Sequence, residues 1–249
     1  MKKYVFSILL TGVFYSTSVL GQITKAEIIY KVKIQRQDKN KEDKKPSKRV
    51  ERVLEEVKNI NLQLLYNNGK GSFKTEEALD VDYMSRLTRS SAKTIANVRD
   101  DYYYDVPEKK IVSDRELSGT SYNIVYRFDT FEWKLNNETK KIDEYLCYKA
   151  TTTYSYKNRK GTITNLDVTA WYTPQIPMPL GPKNYTGLPG LVLELQEGAI
   201  TIYVAELTLN PKRKITIEKA PEGEEVTEKE YEKIASEAYG NFIEAIKNE

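Results

Sequence analysis

Ala170-Trp171-Tyr172-Thr173-Pro174-Gln175-Ile176-Pro177-Met178-Pro179-Leu180-Gly181-Pro182 runs on through Tyr185 and Gly187-Leu188-Pro189-Gly190 into Leu191-Val192-Leu193-Glu194-Leu195. Five of the nine prolines and three of the twelve glycines lie between Pro174 and Gly190. Ring closure and glycine-compatible turns, not a hydrogen-bonded ladder, therefore set the backbone, and the segment reads as a rigid connector. The apolar run Leu191 to Leu195 then reads as a buried strand, and Gln196-Glu197-Gly198 as a hairpin turn. Outward from this point strand signals recur at Lys110 to Ser113, Ser121 to Arg127, Phe131 to Leu135, Glu144 to Tyr156, Gly161 to Tyr172, Gly190 to Gln196, Ala199 to Asn210 and Lys214 to Lys219. Short polar breaks without a helical pattern between them are those of an antiparallel meander, not of alternating βαβ units.

Toward the N-terminus, Ile28, Tyr30, Val32 and Ile34 alternate with Lys31, Lys33 and Gln35, the pattern of a strand with one buried face. The charged run 38–45 reads as a solvated loop. Pro46-Ser47 then precedes Val50, Val53, Leu54 and Val57 at helical spacing. A strand from Ile60 to Tyr66 ends at the turn Asn67-Asn68-Gly69-Lys70-Gly71. Glu76 to Asn97 fits neither period and is expected to be a loop with one helical turn. Tyr102, Tyr103 and Tyr104 between carboxylates read as a strand, and Asn136 to Lys141 as a turn with a charged re-entry. Thr227 with Glu230 forms a capping box for a C-terminal helix that turns Tyr231, Ile234, Ala235, Ala238, Tyr239 and Phe242 inward. The expectation is a mainly β, α+β chain: a long antiparallel meander forming a curved sheet or half-barrel, with an early amphipathic helix and a C-terminal helix packed on it. A β-sandwich is the alternative.

Met1 to Gly21 has the charged start, short apolar stretch and small-residue end of a secretory signal peptide, with cleavage expected before Gln22. Residues 22–249 then form one domain, exported to the periplasm, the outer membrane or the exterior, and no second apolar run follows to span a membrane. Loss of Lys2 and Lys3 takes the formal charge from +3 by two units to +1, so no nucleic-acid partner is implied. Cys147 is the single cysteine, expected as a buried thiol. With no histidine, Ser-His and Cys-His nucleophile chemistry drop out and the commonest zinc ligand is missing. No cofactor or metal motif is present. Carboxylate acid–base chemistry survives as an enzymatic route.

Trp171-Tyr172-Thr173, Ile176-Pro177, Gly181-Pro182, Tyr185 and Gly187-Leu188-Pro189-Gly190-Leu191-Val192-Leu193-Glu194 resemble the signature of the GLPGLI family of secreted Bacteroidota proteins, with Val192 where the name has isoleucine. Glu138 to Ile142, Tyr145, Cys147, Lys149 and Ala150 resemble the segment that precedes it. The resemblance implies export and an unassigned function, and brings no catalytic residues. Trp171, Tyr172, Pro177, Gly181, Pro182, Tyr185, Gly187, Leu188, Pro189 and Gly190 are the candidates for a rim over an apolar cavity; a plug closing the end of the sheet is the other reading. Glu194, Tyr103 and Asp105 are secondary candidates. Glu194 either points outward or is a buried, partnered carboxylate. The functional expectation is an exported binding or accessory protein holding an apolar ligand, peptide or envelope partner on an aromatic-rich sheet. A carboxylate-dependent hydrolase using groups such as Glu194, Asp167 or Asp105, or a purely structural envelope protein, is the alternative.

Overall fold

Both halves of the molecule are built on one strand, β1 (Lys25–Ile34), whose Ala26, Ile28, Tyr30 and Val32 are buried on one face as the alternation requires. The computed structural model describes residues 22–35, 46–77, 82–157 and 162–247; Met1 to Gly21, read as a signal peptide, and the charged run 38–45 lie outside them. On one side of β1, strands β2 (Asn61–Asn67), β3 (Lys70–Thr75), β4 (Asp101–Asp105), β5 (Lys110–Leu117) and β6 (Thr120–Arg127) step away in chain order. On the other side, β7 (Lys134–Ile142), β8 (Tyr145–Lys157), β9 (Ile163–Thr173), β10 (Leu191–Glu197) and β11 (Ile200–Leu209) step back, until β11 pairs antiparallel with β1. A short β12 (Glu224–Thr227) adds parallel to β6. The result is an open, mixed sheet of twelve strands: two antiparallel meanders meeting on β1, not one continuous run.

The sheet curls. Tyr126 on β6, second in strand order, and Tyr154 on β8, eleventh, both donate to Glu228 Oε1, at 3.3 and 2.9 Å. Nine flat inter-strand steps of ~4.8 Å would hold them roughly 40 Å apart. The main core fills the curl around Tyr30, Phe73, Leu64 and Ile111, and a second cluster forms on β8–β10 around Ala170, Tyr172, Tyr185 and Leu195.

Among the described residues three helices form, where two were expected. Helix α1 (Lys48–Asn59) is capped by the Ser47 hydroxyl and buries Val53 and Val57. The third helix is α2 (Tyr83–Ile95), in the region read as a loop. Asp82 caps it, and the hydroxyls of Thr88, Ser91 and Thr94 donate to carbonyls one turn back, so a Ser/Thr-rich segment satisfies itself as a helix. Its large apolar residues face solvent, and Ser91 and Thr94 interrupt their helical spacing before Ile95. Helix α3 (Glu228–Lys247) starts at the expected box: Glu230 Oε2 accepts from Thr227 N at 2.7 Å, and Thr227 Oγ1 from Glu230 N at 3.3 Å. Tyr231 is buried against Tyr122, but Tyr239 is 52% exposed, because the first turns alone reach the sheet; the Phe242 side chain lies outside the described residues.

Three strand expectations are corrected: β7 begins only at Lys134, so Phe131 to Trp133 lie outside it. Asn136 to Glu138 form no turn but a register irregularity inside β7. Lys214 to Lys219 join no ladder, since both edges of the preceding β11 are taken by β1 and β10. That segment crosses β2 and β3 instead, where Asn67 Nδ2 donates to the Ile215 carbonyl at 2.8 Å and Lys74 pairs with Glu218 at 2.7 Å.

Candidate functional site

The connector between β9 and β10 is buried along most of its length. Ile176, Met178 and Leu180 point into the core, alternating with the outward Pro177 and the half-buried Pro179. Successive tight turns, Met178 N to the Ile176 carbonyl and Leu180 N to the Met178 carbonyl, both 2.7 Å, carry the chain without a ladder. Backbone amides meet the carbonyls of Pro179, Leu180, Pro182, Asn184 and Leu188, and aromatic donors meet three more. Tyr104 Oη donates to Gly181 and Lys183 carbonyls at 3.1 and 2.6 Å, and Trp133 Nε1 to that of Thr186 at 2.9 Å. Side chains have no room at the glycines: a Cβ on Gly187, whose φ is +85°, would sit 2.3 Å from the Phe128 carbonyl oxygen.

Where this connector turns, Pro182 to Tyr185, it reaches a cleft of about 540 Å³ between the two halves of the curl. Tyr102, Tyr126, Tyr154, Tyr156 and Tyr185 supply its aromatic walls. Asp100, Glu197, Glu228 and Glu232 bring four carboxylates, and Arg115 and Lys183 two cations. Glu197, at the hairpin between β10 and β11, accepts from Lys183 Nζ at 2.5 Å and from Tyr185 Oη at 2.6 Å. The Lys183 and Glu197 side chains are only 7% and 3% exposed, so this pair stands because each charge has a partner. The ring of Tyr185 stacks on Phe131 at 4.5 Å, which fixes its hydroxyl. Burial, then the adjacent carboxylate, hold the Tyr185 phenol far above its ordinary range; Tyr126 and Tyr154 are raised likewise, by burial and by Glu228. Arg115 pairs with Asp100 at 2.6 Å and lies over the Tyr231 ring.

Of the candidates named from sequence, only Tyr185 lines this cleft. Tyr172 and Leu188 are buried in the second cluster, and Gly181, Pro182 and Gly190 are buried in the connector. Pro177, Gly187 and Pro189 are exposed at its outer surface. Trp171 and Glu194 face the opposite side of the sheet, joined by Lys140, whose Nζ lies 2.8 Å from Glu194 Oε1 and 4.5 Å from the indole centre. Tyr103 lies under Lys74 on the outer face, and Asp105 pairs with Lys70; Asp167 is exposed. Strand alternation explains the miss at β4, because Tyr102 and Tyr103 must face opposite ways. Glu228 and Glu232 were legible: the capping box fixes the start of α3, and one turn separates them. Glu197 and Lys183 carried no such signal, sitting in a turn and between a proline and an asparagine. Among the described residues no group of three or more Cys, Asp or Glu side chains is placed to hold a metal ion, and no helix is long and apolar enough to cross a membrane.

No curated protein sequence matches the chain. Two solved structures of PNGF-II are similar to it in fold: that in space group C2 at a TM-score of 0.52 and 13% identity, covering 86% of this chain and 33% of that one, and that in space group P21 at 0.51 and 14%, covering 86% and 34%. The chain spans about a third of the length of these structures, and at such identity the likeness shows the fold alone. Residues 157–194, the end of β8 through the connector to Glu194, match a family model described as a protein of unknown function (Porph_ging), and that description, not the GLPGLI name, is what the connector carries.

Proposed function

We propose that the chain is an exported binding protein whose ligand sits in the cleft between the two halves of the curled sheet. The observation that carries this reading is the cleft itself: about 540 Å³, inside the range of small-molecule sites, with five tyrosines and paired charges converging on it. Its charges turn the expected ligand from a purely apolar one to a molecule with polar groups as well as a flat or apolar face. The connector serves this cleft by holding Lys183 and Tyr185 in place, not by forming a rim. Export rests on the signal-like character of Met1 to Gly21.

A second reading is favoured by one observation. Glu197 and Glu228 share the cleft in unlike surroundings, one held by an ammonium and a phenol, the other by two phenols. Unlike environments are what acid–base chemistry by two carboxylates needs.

Native mass spectrometry of the chain isolated from its own cells tests the binding reading against a Tyr154→Ala variant. A small molecule retained by the wild type and lost from the variant is expected. Equal retention by both, or none by the wild type, overturns the proposal. Turnover of a retained molecule, abolished in Glu228→Gln, would move the assignment to the enzyme.

A further inference from the structure

Helix α2 carries its apolar residues on the wrong side for a core helix. Tyr83, Met84, Leu87 and Ile95 are 39–64% exposed, while Ala92 is the residue it buries. At 100° per residue these four fall within an arc of roughly 120°, which Ser91 and Thr94 share, so the apolar surface is concentrated on the first turns at Tyr83, Met84 and Leu87. Both borders of the stripe are cationic. Arg86 and Lys93 flank it on one side of the helix; on the other, Arg49 and Arg52 of α1 line a shallow hollow with Met84 and Leu87. α2 contains no acidic residue. Of the acids near these cations, Asp82 accepts from the Ser85 amide as the helix cap and lies near Arg86, Asp101 lies near Lys93, and Glu56 pairs with Arg89 at 3.0 Å between the helices. By the same spacing Glu51 and Glu55 fall on the side of α1 away from α2.

An apolar stripe bordered on both sides by arginine and lysine matches the boundary of an anionic bilayer, with apolar side chains in the acyl region and cations at the headgroup phosphates. We propose that α2, with the facing edge of α1, docks the protein flat on an anionic phospholipid surface. The proposal stands independently of the cleft, which is lined by other residues apart from the C-terminal end of the helix at Thr94.

Flotation of the exported chain with vesicles tests it. Binding is expected to vesicles made half of phosphatidylglycerol and half of phosphatidylcholine, and not to pure phosphatidylcholine. The double variant Arg86→Gln/Lys93→Gln should lose roughly fivefold in partition for each cation removed. Leu87→Glu should abolish binding, and unchanged melting temperatures would show that both variants fold. Equal partition onto the two kinds of vesicle, or wild type that stays in the aqueous fraction with both, overturns the proposal. Concentration-dependent dimers in sedimentation that Leu87→Glu dissolves would give the stripe to a second copy of the chain, and would overturn it too.

Discussion

Asp100 and Asp101 are neighbours in sequence and live on opposite faces of the sheet. Asp100 faces the cleft, where Arg115 answers it, and the same inner face holds Glu197 with a donor on each oxygen. On the outer face Asp101 stands directly across from Asp114, with Lys74 shared between Asp101 at 3.7 Å and Glu218 at 2.7 Å. Asp114 Oδ1 is buried without a hydrogen-bond partner among the described residues. Burial, with Asp114 adding to it against the pull of Lys74, pushes the Asp101 carboxyl up to about 6. On the inner face Asp100 and Glu197 each have a cationic partner, whereas on the outer face Asp101 and Glu218 share one ammonium. Charges that are matched hold geometry; charges that compete sense pH.

Breaking the inner match should cost most. Lys183→Met leaves Glu197 buried with only the Tyr185 phenol, and a loss of about 3–5 kcal/mol in urea unfolding is expected. A loss below about 1 kcal/mol would show the pair to be effectively solvated. Leu180→Ala, in the connector that positions Lys183, should cost about 3 kcal/mol, while the same truncation at the exposed Leu135 should change stability by less than ~0.5 kcal/mol. The outer face answers in pH. Because the folded-state pKa of Asp101 lies above its ordinary value of 3.8, the folded chain holds that proton more tightly; the resulting stabilisation is full below about pH 4 and lost as pH rises through about 6. With the group partly exposed, about 1 kcal/mol is expected, and Asp101→Asn should flatten this part of the pH–stability curve. The smallest effect is chemical. Cys147 is buried and its thiol is pushed up to about 11 by burial, so at neutral pH a thiol reagent should label it only when the chain unfolds. Rapid labelling of the native chain would place it outside the core.

Strand identity, the sheet's antiparallel character and the closing helix were legible because alternation, turn residues and the Thr227–Glu230 box are local signals. Ile28, Tyr30 and Val32 announce the buried face of β1 within a few residues. What was not legible depends on distance. Nothing near Asp100, Lys183 or Glu228 says that strands far apart in the sheet's order curl until these residues share a cleft. Tyr83, Met84 and Leu87 stand at helical spacing, but Ser90, Ser91 and Thr94 break the apolar pattern before Ile95, so α2 was not announced. In the connector, Ile176, Met178 and Leu180 are buried, yet in the sequence they read equally well as a greasy lip.

β1 lies near the middle of the sheet, with partners from both meanders, and its far partner is separated from it by most of the chain: Ala26 stands against Leu209. The earliest strand in the described chain therefore keeps one edge unpaired until the last strand of the second meander is available. Contacts of such sequence separation are slow to close. A chain threaded from its N-terminus would present that edge, rich in Ile and Val, to any strand that reached it first. Completion of β11 is thus the committing event in assembly, and a truncation before Ile200 should yield a protein that aggregates through β1 instead of a smaller folded one.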